Sequence, residues 1–132
     1  MIDHTGINVS QFARSKEFYS KVLAPLGYAL RLQLGDAAAG YGETVLQPGD
    51  DPGGAFWIST GAPCTPRLHI AFRATSQAQV KAFYEAALAA GAKDNGAPGF
   101  RHHYHKNYYA AFVYDPDGYN IEAVFHGTED PV

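Results

Sequence analysis

The sequence predicts an α+β fold of two βαβββ modules in a pseudo-twofold repeat. Three observations predict it. Residues around His4 and His69 recur at an offset of 65, with Phe18-Tyr19 returning as Phe83-Tyr84, Leu23 as Leu88, and Ser10 falling opposite Thr75. Each half then runs through the same succession of patterns: one alternating stretch, one helical period, and three short stretches bounded by turn residues. Two copies are too few for a solenoid, which needs about three repeats to bury a core, so the halves must pack as a closed pair.

In the first half, His4-Thr5-Gly6-Ile7-Asn8-Val9 alternates as a half-buried strand does, and Ser10 offers a capping hydroxyl to a following helix. Phe12, Tyr19, Val22, Leu23 and Leu26 share one face of that helix, and Gly27 supplies the stop. Three strands are expected next: Tyr28 to Leu34, a Gly-flanked stretch through Val45-Leu46, and Ala55 to Ser59. The longest loop of this half falls at Gln47 to Gly54, where Pro, Gly and Asp concentrate.

The second half opens with the strand Arg67 to Phe72, followed by Ser76 and Gln79 at capping-box spacing. Val80, Phe83, Tyr84, Ala87 and Leu88 form the apolar face of the second helix, which stops at Gly91. Three strands are expected after it, the clearest being Tyr108 to Tyr114 and Asn120 to Phe125, joined by the turn Asp115-Pro116-Asp117-Gly118. The 132 residues are therefore read as one domain, 1-132, with module 1 at about 1-62, module 2 at about 66-127, and Gly61 to Pro66 as the junction.

Composition narrows the partners. The net charge is -3 and no run of Lys or Arg could follow a phosphate backbone, so nucleic acid is not expected. No stretch has the apolar length to span a bilayer, and the chain enters a patterned strand without a leader, so no membrane association is expected. The single cysteine, Cys64, cannot pair within the chain; it reads as structural, in a reducing, cytoplasmic setting.

The chemistry gathers on symmetry-related strand positions. His4 and His69 open the first strand of each module, and the same offset sets Trp57 opposite Glu122. Two imidazoles and a carboxylate make a mixed nitrogen and oxygen set that suits first-row divalent metals and leaves positions open for a ligand. Each residue alone would be read as a satisfied polar group. Their agreement with the repeat makes His4, His69 and Glu122 the candidate metal ligands.

At these residues the chain resembles the vicinal oxygen chelate superfamily, which includes glyoxalase I, extradiol dioxygenases, fosfomycin-resistance enzymes and bleomycin-resistance proteins. The resemblance rests on His4 opening its strand, on Phe18-Tyr19-Ser20-Lys21-Val22-Leu23, on His69 in Leu68-His69-Ile70-Ala71, and on Glu122 closing Asp115 to Glu122. It implies paired βαβββ modules around a metal cleft, and a divalent ion (Fe, Ni, Zn or Mn) as cofactor. Glyoxalase I normally adds a Glu or Gln on the last strand of the first module, where this chain offers Phe56, Trp57 and Ile58. The three-ligand set is similar to that of the dioxygenase and fosfomycin groups, and Trp57 is placed as a pocket wall that stacks on a substrate.

A second cluster, Phe100 to Tyr109, reads either as a substrate-facing rim or as a solvated loop. On the first reading His105 serves as acid or base, Arg101 or Lys106 holds an anionic group, and Tyr104 and Tyr109 line the substrate. His126 is read as a surface residue. Three functions follow from the resemblance: a metal-dependent enzyme of glyoxalase type, a lyase or isomerase with Glu122 and His105 in catalysis; an iron(II) extradiol-type dioxygenase; or a metal-free small-molecule binding protein. In each case the partner is a small molecule. A homodimer is expected, because open sheet edges need cover, with His4 meeting His69 and Glu122 within or between chains.

Overall fold

The computed structural model describes residues 1–127. Module 1 comprises β1 (Thr5–Val9), α1 (Phe12–Leu23), a 3-10 turn at Ala24–Leu26, β2 (Tyr28–Leu34), β3 (Ala38–Glu43) and β4 (Phe56–Thr60). Module 2 comprises β5 (His69–Arg73), α2 (Gln77–Ala89), β6 (Lys93–Phe100), β7 (Tyr109–Tyr114) and β8 (Asn120–Phe125). Each module is a four-stranded mixed sheet, ordered β1-β4-β3-β2 and β5-β8-β7-β6, with β1 and β5 parallel to their neighbours and the other pairs antiparallel. Among the described residues no helix is long and apolar enough to cross a membrane.

The repeat offset is reproduced by the hydrogen-bond ladders. Gly6 pairs with Trp57 in module 1, and Ala71 pairs with Glu122 in module 2, each partner shifted by 65 residues. Because side chains alternate across a strand, this register decides which residues share a face. Ile7, Val9, Phe56 and Ile58 enter one core with Phe18, Tyr19, Val22 and Leu23 of α1. Ile121, Ala123, Ala111 and Val113 enter it with Val80, Phe83 and Ala87 of α2. Phe83 is fully buried, which removes apolar surface worth about 1.5–3 kcal/mol. His4, Trp57, His69 and Glu122 belong to the alternate positions, on the faces turned away from the helices.

The two halves meet through Phe56 and Phe72, whose rings stand edge to face at 5.0 Å, and through a polar clamp at the β7–β8 turn. Asp115 accepts from the Tyr19 hydroxyl of α1 at 2.5 Å, and from the backbone N–H groups of Asp117 and Tyr119. Tyr119 donates to the carbonyl of Asn8 at 2.6 Å, and the Ser10 hydroxyl donates to Asp117. Burial pushes the Asp115 carboxyl above its ordinary range, against the opposing pull of the Tyr19 hydroxyl.

Three local expectations are corrected. Ser10 does not cap α1, because its hydroxyl is taken by Asp117, and Gln11 holds the N-cap position without a side-chain bond. Leu88 is 40% exposed; the α2 stripe runs through Val80, Phe83 and Ala87 instead. The middle strand of module 1 is β3, not the stretch at Val45-Leu46, which lies exposed in the following loop. Its Ala38-Ala39-Gly40-Tyr41-Gly42 core has little strand propensity and is fixed by pairing on both edges.

Candidate metal and substrate site

Glu122 is the one charged side chain of β8 and has no exposed surface, yet it faces away from the helix layer. Such a carboxylate must be hydrogen-bonded. One oxygen, Oε1, meets His69 Nε2 at 2.8 Å; the other, Oε2, accepts a short hydrogen bond from the Tyr108 hydroxyl. His69 is half exposed, so the pair opens to solvent on the imidazole side. Burial first, then the bond to Glu122, raises the Tyr108 phenol far above its ordinary value, so it remains a proton donor throughout the physiological range.

Across the sheet the positions level with Glu122 are Ala71 on β5, Phe112 on β7 and Gly96 on β6. The Phe112 ring lies 6.2 Å from the His69 ring. The Arg101 guanidinium sits over Phe112, 5.3 Å from the ring centroid, held by the carbonyls of Gly99 and Ala97 at 2.9 Å each. Gly96 makes room for it: with φ at +148°, a Cβ there would stand 2.8 Å from the guanidinium and 3.0 Å from Phe112.

The structure brings His69 and Glu122 together but leaves His4 elsewhere within the chain. His4 is exposed, with Nδ1 2.7 Å from Asp3, and with Asp51 it forms the group Asp3–His4–Asp51 whose donor atoms lie within 4.8 Å of one another. Among the described residues this is the one such group of three. The hydrogen bond that His4 donates to the Asp3 carboxylate raises the His4 pKa. By the repeat, the residue that corresponds to the side-chain partner of His69, Glu122, is Trp57, which offers no acceptor. Trp57 is half buried, its indole laid over Gly40 and Gly53, where an added Cβ would fall 2.7 Å and 2.4 Å from the ring.

In the Phe100 to Tyr109 stretch, His105 does not touch Glu122. Its Nδ1 accepts from the Asn107 N–H, which leaves the proton on Nε2, donated to His126 Nδ1 at 2.9 Å. Both imidazoles pack edge-on against the Tyr108 ring, with centroids at 5.4 and 5.2 Å. His126, expected as a bare surface residue, is exposed but belongs to this cluster. Tyr104 is 58% exposed with its ring on Tyr108, and Tyr109 lies in the hydrophobic core. Alternation explains the last point: adjacent residues take opposite faces, so the tyrosine that reaches the carboxylate is Tyr108. The sequence carried that signal in the strand phase, since residue 108 precedes a strand whose even positions share the face of Phe112.

The donor chemistry of His69 and Glu122 fits a first-row divalent cation, with one imidazole nitrogen and one buried carboxylate on a single face. A model of the Glyoxalase/Bleomycin resistance protein/Dioxygenase superfamily matches residues 1–123. Among solved structures, the chain is similar to a glyoxalase/bleomycin resistance protein from Albidiferax ferrireducens, 27% identical with TM-score 0.72, over 94% of this chain and 97% of that one. It is also similar to a glyoxalase-related enzyme from Fulvimarina pelagi, 18% identical with TM-score 0.68, over 95% and 87% of the two chains. A family enzyme from Burkholderia phytofirmans is 16% identical with TM-score 0.69, over 96% and 98%. At the two lower identities the likeness is one of fold alone. No curated protein matches the sequence.

Proposed function

Because the chain belongs to the Glyoxalase/Bleomycin resistance protein/Dioxygenase superfamily, we propose that it is a divalent-metal-dependent enzyme of glyoxalase type, a lyase or isomerase. Its substrate is a small molecule with two neighbouring oxygens. The observation that carries this reading is the fully buried Glu122 carboxylate, turned away from the helices and bonded to His69 and Tyr108. A carboxylate buried on that face serves no packing purpose that an apolar residue would not serve better.

His69 and Glu122 would hold the metal, with His4 as third ligand from the second protomer of a homodimer, since within one chain His4 is bonded to Asp3. When bound, the metal lowers the cost of negative charge on the substrate oxygens. Tyr108 fixes Oε2 and so leaves Oε1, on the His69 side, as the atom that meets ligand and proton. His105 acts one ring away, through the packing of Tyr108, and holds a proton on Nε2. The cytoplasm is the proposed setting; Cys64 is free.

A second reading, an iron(II) extradiol-type dioxygenase, is favoured by Trp57, which keeps the ligand count at three where Glu122 stands in module 2. Elemental analysis of protein purified without a His tag separates the readings. Nickel, zinc or manganese at one per site supports the lyase or isomerase, and iron the dioxygenase. Absence of metal, with none taken up from added salts, leaves the metal-free binding protein. Sedimentation equilibrium tests the dimer: a monomer that binds one metal per chain would remove His4 from the site.

A further inference from the structure

We propose that the substrate of this site is a planar monoanion whose carboxylate is bound by Arg101, with the Phe112 ring as the platform that holds the guanidinium at a fixed distance from the chelating end. The inference rests on the chelating role of His69 and Glu122 proposed above and adds the class of substrate.

The argument starts from one row of the second sheet. Level with one another stand Glu122, Phe112 and Gly96, on three successive strands. His69 overhangs one end of the row and Arg101 the other. Gly96 has no side chain to lift the guanidinium, so Arg101 lies over the Phe112 ring instead of projecting into solvent. Its two terminal nitrogens are fixed by neutral carbonyls, Gly99 and Ala97, and no carboxylate forms an ion pair with it among the described residues. The group is thus partly buried, oriented and uncompensated in charge, while its remaining N–H groups form the fork that recognises a carboxylate. A guanidinium placed only to brace a turn would need neither the aromatic platform nor the glycine beside it.

Spacing limits the size of the ligand. Two strand spacings separate Glu122 from Gly96, about 10 Å in all, which accommodates a single ring with oxygens at one end and an anion at the other. A long-chain or neutral substrate leaves the cation unpaired beside an apolar ring, at a desolvation cost.

Titration calorimetry of Zn2+-loaded protein under nitrogen tests this with two probes, 3,4-dihydroxybenzoate and catechol, which share their adjacent oxygens and differ in the carboxylate. The wild type is expected to bind 3,4-dihydroxybenzoate about tenfold or more tighter than catechol, and Arg101→Gln to bind the two alike. Arg101→Lys, which keeps the charge and loses the fork, should recover part of the preference. Since Arg101 also braces β6, the wild-type comparison stands independently of any variant, and the preference should shrink as KCl is raised. Equal binding of the two probes by the wild type overturns the Arg101 assignment while leaving the chelating site intact. Failure of both to bind metal-loaded protein removes the chelating reading, and this inference with it.

Discussion

The same row of the two sheets is built in opposite ways. In module 1 it reads Gly6, Trp57, Gly40; in module 2 it reads Ala71, Glu122, Phe112. Both rows begin with a small residue on the outer strand. They differ in which strand carries the aromatic bulk. Module 1 puts it on β4, and β3 answers with a glycine under the indole. Module 2 puts it one strand over, on β7, which frees the β8 position for a carboxylate flanked by His69 and Tyr108. Identical backbone register therefore yields a packed wall in one half and a polar centre in the other, and moving one aromatic ring by one strand makes the difference.

The largest effect should come from removing the carboxylate that distinguishes the rows. Glu122→Ala is expected to abolish stoichiometric metal uptake in calorimetry while circular dichroism shows the fold retained; unchanged uptake would relocate the metal to another cluster, such as Asp3–His4–Asp51. Tyr108→Phe keeps the ring that packs on His105 and His126 but releases Oε2, and metal affinity should fall about 10–100-fold. An unaltered affinity would reduce Tyr108 to packing. Making the rows alike is the sharper test: Trp57→Glu restores a carboxylate at the symmetric position, and affinity should rise by about tenfold if the two faces meet at one metal. No gain there would mean that matched register does not translate into a shared site.

Smaller effects probe the supporting structure. Gly40→Ala sets a Cβ 2.1 Å from the Gly53 carbonyl and 2.7 Å from the indole, and should cost about 1–3 kcal/mol in urea unfolding. The smallest is a pH slope. Asp115 has a carboxyl pKa raised in the folded protein, so it binds its proton more tightly folded than unfolded. Its contribution favours folding below the ordinary value of 3.8 and is lost as pH rises through the raised value. Asp115→Asn should flatten unfolding stability across that window, and an unchanged slope would place the titrating group elsewhere.

Much of this was legible in the residues. The 65-residue offset predicts the strand registers, since it sets Trp57 opposite Glu122, as the two ladders do. Helix stops at Gly27 and Gly91 were legible because both have positive φ, 83° and 90°. Pattern failed where tertiary partners override local preference. β3 is a strand of alanines and glycines stabilised by two neighbours, and Ser10 was drawn from capping by Asp117, 107 residues away. In the candidate site, residue type singled out His69, Glu122 and Arg101. Tyr109, expected to line the substrate, lies in the core, while strand phase sets Tyr108 on the face of Glu122, and the loop geometry that pairs His105 with His126 leaves no periodic trace.

The clamp at the β7–β8 turn has a mechanical consequence. Asp115 and Tyr119 grip α1 and the end of β1, and Glu122 follows Tyr119 by three positions on the strand that leaves the turn. The turn thus works as a short lever whose handle is module 1. A tilt of the first half against the second would reach Glu122 along β8, so the position of the buried carboxylate is tied to how the two halves are seated.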